Sequence, residues 1–173
     1  VLCDPIVRDA VRARGADPDA LVDRYVRVLN DILAAKPADM AIGIHFCRGN
    51  YKGQWMAAGG YEPIAERMLG VVRADALFLE FDSTRAGNFT PLAAIQPSTM
   101  VVLGLVSTKT PQLESASDLA RRIEEASRFI PLERLALSPQ CGFASSAGGN
   151  PITEADQYAK LARVVEVARQ VWG

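Results

Sequence analysis

Apolar residues recur along the chain at two alternating spacings, and the switches between them predict its elements. From about Asp19 to Lys36, Leu21, Val22, Tyr25, Leu29, Ile32 and Leu33 fall on one helical face. Pro37 stops that helix, and "MAIGIHFC" follows as a strand. A helix over roughly Glu62 to Leu69 precedes a second strand, "ALFLEFD". "MVVLGLVS" is a third strand, and "SASDLARRIEEASRFI" a helix capped by Ser115 or Ser117. "RLALS" is a fourth strand. A last helix starts near Thr153, where Asp156 completes a capping-box pattern, and runs to Trp172.

Strand and helix thus alternate four times, which predicts an α/β domain with a parallel sheet. The strands are short and mostly apolar, as expected of strands covered on both faces. Four βα units equal half of a (β/α)8 barrel. A half-barrel alone leaves two open edges, so either another half completes it or the sheet is an open, doubly wound one. The opening "VLCDPIVRDAV" reads as if it begins in mid-phrase, and the single domain 1–173 is expected to be part of a longer protein.

Period-two alternation also sorts the strand faces. Met40, Ile42, Ile44 and Phe46 share one face; Ala41, Gly43, His45 and Cys47 share the other. In the second strand Leu77, Leu79 and Phe81 oppose Ala76, Phe78, Glu80 and Asp82. Cys141 lies just past the fourth strand. His45, Cys47, Glu80 and Cys141 therefore all fall at or beyond C-terminal strand ends, where α/β folds place their active sites. One His, two Cys and one Glu suit a tetrahedral zinc ion. They also suit packing, since a lone His and buried Cys are common structural residues; Glu80 in an apolar strand is harder to place without a partner. A Cys–His nucleophilic pair is disfavoured, because two residues on one strand face project nearly in parallel. Lys109, past the third strand, could meet an anionic substrate group or only solvent. Tyr51 and Trp55 could stack on a flat ligand or cover the barrel mouth. "AAGGY" reads as a simple turn, and Cys3 as structural.

Composition narrows the function classes. Apolar residues make up 49% and charged residues 23% of the 173, enough for one domain with a core. The net charge of −1 gives no electrostatic case for nucleic acid. No apolar run reaches the roughly 18 residues of a membrane span. Three cysteines make a disulfide framework unexpected and a reducing, cytoplasmic setting the expectation.

"LCDP", "IHFCRGNY", "FLEFDSTRAGNFTPL", "VVLGLVSTKTPQLE" and "LALSPQCGFAS" together resemble the cobalamin-independent methionine synthase family, in the C-terminal part of its catalytic barrel and especially its short single-barrel relatives. The resemblance covers essentially the whole chain. It implies the C-terminal half of a (β/α)8 TIM barrel, related to uroporphyrinogen decarboxylase, with the N-terminal half absent. It implies one Zn2+ held by His45, Cys47, Glu80 and Cys141. Glu80 and Asp82 are the candidate catalytic carboxylates, and Lys109, Tyr51 and Trp55 the candidate substrate contacts. The implied activity is that of a methyltransferase of methionine biosynthesis: a methyl group moves from a methyltetrahydrofolate-type donor to a thiol such as homocysteine, with substrate sulfur displacing Glu80. Related alternatives are alkylation of another thiol such as coenzyme M, or a non-catalytic zinc-binding module. The implied partners are the small-molecule thiol and methyl donor, with a homo-oligomer or the missing half-barrel to close the sheet.

Overall fold

The computed structural model describes all 173 residues. Helices α1 (Pro5–Ala13) and α2 (Pro18–Ala34) lead into strand β1 (Gly43–Phe46). Strand β2 (Ala76–Glu80), strand β3 (Met100–Val106), helix α3 (Ala116–Ser127), strand β4 (Leu135–Pro139) and helix α4 (Glu154–Trp172) follow. The four strands pair in parallel in the order β1-β2-β3-β4. Each connection steps one strand in the same direction, so the sheet lacks the reversal of a doubly wound fold and has the winding of a barrel segment.

Local chemistry explains the helix starts. Asp17 caps α2 through Asp19 N–H, and Ser115, not Ser117, caps α3 through Asp118 N–H. Thr153 and Asp156 form the complete capping box of α4. Helix α1 had no counterpart in the apolar pattern; Asp4 caps it, and Pro5, which has no N–H to satisfy, begins it. The helix expected over 62–69 is instead a 3₁₀ turn (Glu62–Ile64) running into a π turn (Ala65–Leu69). Pro63 removes one N–H there, and Gly70 N–H reaches back to Ala65 O.

One sheet face makes the core. Leu77, Leu79, Phe81, Val101, Leu103 and Leu105 are at most 1% exposed, packed with Val22 and Val26 of α2, Leu119 and Ile123 of α3 and Val167 of α4. The other face is covered only in part: Glu80, Val102 and Val106 on it are buried. Steps of one hand in one direction put every helix on the same side, and the opposite face shows Phe78 at 37% and Met100 at 36% exposure. The Phe78 ring lies over Gly43, so near that a Cβ there would sit 2.6 Å from it. Tyr25, Val28 and Ile32 of α2, and Tyr158, Leu161 and Val165 of α4, leave further apolar side chains exposed at the two flanks. No helix is long and apolar enough to cross a membrane.

Two measurements test this packing. Leu103→Ala, at the centre of the buried face, should cost about 2–5 kcal/mol in urea unfolding, whereas Ile32→Ala on the exposed α2 stripe should cost under about 1 kcal/mol. Asp4 accepts from Ala58 N–H (2.7 Å) and Ile6 N–H (2.8 Å), and these bonds, Ala58 first, hold its carboxyl below the usual range. A lowered folded-state pKa gives stability that is full above the unfolded value and lost as pH falls through the folded one. The stability gap between the native chain and Asp4→Ala should therefore be constant from about pH 5 to 7 and narrow below about pH 4. A gap unchanged down to pH 3 would refute the assignment.

Candidate metal centre and adjoining polar pocket

β1 ends in His45-Phe46 with Cys47 directly after it, and the strand period turns His45 and Cys47 the same way. The third donor comes from the far edge of the sheet. Three inter-strand steps separate β1 from β4, about 14 Å if the sheet were flat. Sheet curvature and the loop after β4 close that gap. Cys141 Sγ lies 3.5 Å from His45 Nε2, and the donor atoms of His45, Cys47 and Cys141 all lie within 4.8 Å of one another. The loop is tethered where it must be: Asn50 Nδ2 donates to Gly142 O (3.3 Å), Lys52 N to Ser145 Oγ (3.1 Å) and Asn150 Nδ2 to Thr108 O (2.9 Å).

The three donors perturb one another. Hydrogen bonds from Cys141 and then His45 pull the Cys47 thiol far below its usual pKa, while the bond to Cys47 pushes Cys141 up. The same contact with Cys47 raises His45. Two sulfurs and one imidazole nitrogen so close together make a soft donor set suited to a divalent transition metal.

Glu80 is not in this group. It is fully buried at the end of β2, and its carboxylate is taken up by other donors. Oε2 accepts from Arg48 N–H (2.6 Å), and Oε1 from Arg85 Nη2 (2.6 Å) and Lys109 Nζ (3.3 Å). Burial alone would raise its pKa; Arg85, Lys109 and the Arg48 N–H outweigh that and hold it low. Asp82 shares the same cations, accepting from Lys109 (3.2 Å), Arg85 (3.4 Å) and the Ser107 hydroxyl (2.9 Å).

Beside this cluster is a polar cavity of about 320 Å³ at the ends of β2 and β3, lined in part by Trp55, Asp82, Arg85, Ser107, Lys109 and Glu114. Lys109 is not in solvent: it is 5% exposed, paired with two carboxylates, and on the cavity wall. Trp55 is on the cavity wall, its indole stacked against the Arg85 guanidinium at 4.7 Å. Tyr51 is not on that wall: it is exposed, bridged to Gln54 and flanked by Lys52 at 5.6 Å.

Neither strand period nor strand-end placement marks Arg48, Arg85, Glu114 and Lys160, which the fold brings to this rim. Arg48 is buried against Tyr61 and gives its guanidinium to the carbonyls of Gly59, Glu80 and Ala86. Arg85, three residues beyond Asp82 in "FDSTRAG", carried a signal in that spacing to a carboxylate. Lys160 of α4 is fully buried, and its ammonium donates to Gln112 O and Glu114 Oε2 (3.1 Å). Glu114 in turn accepts from Ser107 N–H (2.7 Å), so this pair shapes the cavity wall. Lys160→Met should cost about 3–5 kcal/mol by taking the ammonium from the half-buried Glu114 carboxylate, which keeps only the Ser107 N–H. Glu114→Gln added to it should recover part of that loss in chemical denaturation; an additive double mutant would disprove the pairing.

Comparison with known proteins places the chain. The profile of the family described as "Cobalamin-independent synthase, Catalytic domain" matches residues 3–170. YxjH of Bacillus subtilis (strain 168), an uncharacterized protein, is 46% identical over 95% of this chain and 44% of its own length. The methionine synthase of Thermococcus kodakarensis is 25% identical over 63% of this chain and 29% of its own. A crystal structure of a Listeria monocytogenes protein provisionally assigned as a vitamin-B12-independent methionine synthase superposes with a TM-score of 0.70 at 38% identity, covering 92% of this chain and 43% of that one. The chain spans less than half the length of these relatives. On a match running through nearly all of its residues, the chain belongs to the cobalamin-independent synthase family, in that family's catalytic domain.

Proposed function

We propose that this chain supplies the metal-binding, thiol-activating part of a methyltransferase that alkylates a small thiol such as homocysteine, from a methyltetrahydrofolate-type donor. The convergence of His45, Cys47 and Cys141 from the two edge strands carries the reading. In a tetrahedral zinc site, N and S donors bound at ordinary lengths sit roughly 3.6 Å apart. The 3.5 Å between His45 Nε2 and Cys141 Sγ fits that edge. Bound Zn2+ would hold a substrate thiol as its nucleophilic thiolate near neutral pH.

The chain's own residues supply the rest. Three protein donors leave a fourth position for an exchangeable ligand, the pattern of catalytic rather than structural zinc. The cavity bearing Arg85, Lys109, Asp82 and Glu114 has charges of both signs, suited to a small zwitterionic thiol. Trp55 offers an apolar surface at its rim. Family membership and the methionine synthase name of a relative support the reaction class.

Metal analysis under reducing conditions tests the reading. The native chain should hold one equivalent of zinc. Cys47→Ala and Cys141→Ala should each weaken zinc binding by more than about tenfold in chelator competition. A full equivalent retained with unchanged affinity by either variant would refute the ligand assignment. Methyl transfer to homocysteine, followed as methionine formation, tests the reaction class.

A further inference from the structure

The β1–β2 ladder stops one residue short of Cys47. Its last pair is Phe46↔Leu79. In a regular parallel ladder the next two bonds would run from Glu80 N–H to Phe46 O and from Arg48 N–H to Glu80 O. Both are replaced. The Tyr61 hydroxyl stands in the first, accepting from Glu80 N–H (2.9 Å) and donating to Phe46 O (2.9 Å). The Arg48 side chain stands in the second. Its Nη1 donates to Glu80 O (3.1 Å), while its own N–H turns to a side-chain oxygen of Glu80 (2.6 Å). Two bonds in series hold their ends farther apart than one ladder bond does, so β1 and β2 diverge where Cys47 leaves the sheet.

This wedge is made of buried, fixed parts. Tyr61 is 2% and Arg48 0% exposed. The Arg48 guanidinium lies over the Tyr61 ring at 4.2 Å, and the Phe81 ring meets Tyr61 edge-on at 5.3 Å. Burial pushes the Tyr61 phenol well above its ordinary pKa, so it remains an O–H able to donate and accept at once. The Arg48 guanidinium is taken up by carbonyls. Besides Glu80 O it reaches Gly59 O (2.7 Å) and Ala86 O (3.4 Å), in the loops after β1 and β2. Burying a cation and a phenol is costly. Plain packing at this corner would be met by apolar side chains, whereas holding two strand ends at a set spacing needs polar groups of fixed reach.

We propose that Tyr61, backed by Arg48, is a positioning residue: its hydroxyl opens the β1–β2 ladder at Cys47 and so aims that thiol, with His45, at Cys141 across the sheet. The proposal rests on the metal reading above, and assigns the geometry of that site to a hydroxyl whose two bonds both go to backbone.

Co2+ binding by the full chain tests it, with affinity read by titration and geometry from the d–d and sulfur-to-cobalt charge-transfer bands at saturation. Tyr61→Phe keeps the ring and removes the wedge, letting Glu80 N–H and Phe46 O close on each other. It should weaken Co2+ binding by about tenfold or more and change the d–d bands. Leu103→Ala, which loosens the core under β3, should leave affinity within about twofold of native and the bands unchanged. That control separates aiming of the thiol from a general loss of stability. Should circular dichroism show Tyr61→Phe to be unfolded, Arg48→Lys decides the question by the same readouts, because lysine keeps the charge but cannot span three carbonyls. A folded variant with native affinity and native bands, or a loss matched by Leu103→Ala, would overturn the positioning role while leaving the metal group standing. No Co2+ binding by the native chain would overturn the metal reading itself, and the proposal with it.

Discussion

A carboxylate with no access to water must be matched by its neighbours, and Glu80 sets that demand for the whole C-terminal rim of the sheet. Meeting it takes the backbone after β1, the side chain of Arg85 after β2 and that of Lys109 after β3. Three loops are drawn to one point by one residue. Asp82 extends the demand to Ser107, whose N–H is held by Glu114, and Glu114 is held by buried Lys160 of α4. The cavity wall is thus one chain of charge pairs that starts at Glu80 and ends on a helix of the outer layer. Such a network gives its members little freedom to rearrange singly.

The cluster of His45, Cys47 and Cys141 beside it follows a different logic. His45 and Cys47 are neighbours by strand geometry, but Cys141 arrives only because the sheet curls and the loop after β4 is tied down by Asn50, Lys52 and Asn150. Curvature follows from the winding, since strands laid side by side in one direction with all helices outside form an arc. The arc explains why an imidazole and a thiol from opposite sheet edges can lie 3.5 Å apart. It also explains why Phe78 and Met100 on the inner face are exposed.

The division between Glu80 and the sulfur donors has a chemical sense. Thiolates and imidazole are soft or borderline ligands that match zinc, whereas the hard carboxylate oxygen matches guanidinium and ammonium as well as it matches the metal.

Much of this was readable from the residue order. Four β-rich segments, the Thr153–Asp156 capping box, the helix of 18–34 and the shared face of His45 and Cys47 are local consequences of period and capping, which involve residues a few positions apart. The same local rules missed α1, whose start is carried by Asp4-Pro5, and smoothed over the 3₁₀ and π turns beside Pro63. Placement at strand ends also indicated Cys141 correctly as a neighbour of the histidine. What the order of residues could not decide is the partner of Glu80 and the burial of Lys109. Those depend on a competition among groups brought from the ends of three strands into one buried cluster. Only the folded arrangement decides it, because electrostatic pairing, unlike strand period, has no counterpart in spacing along the chain.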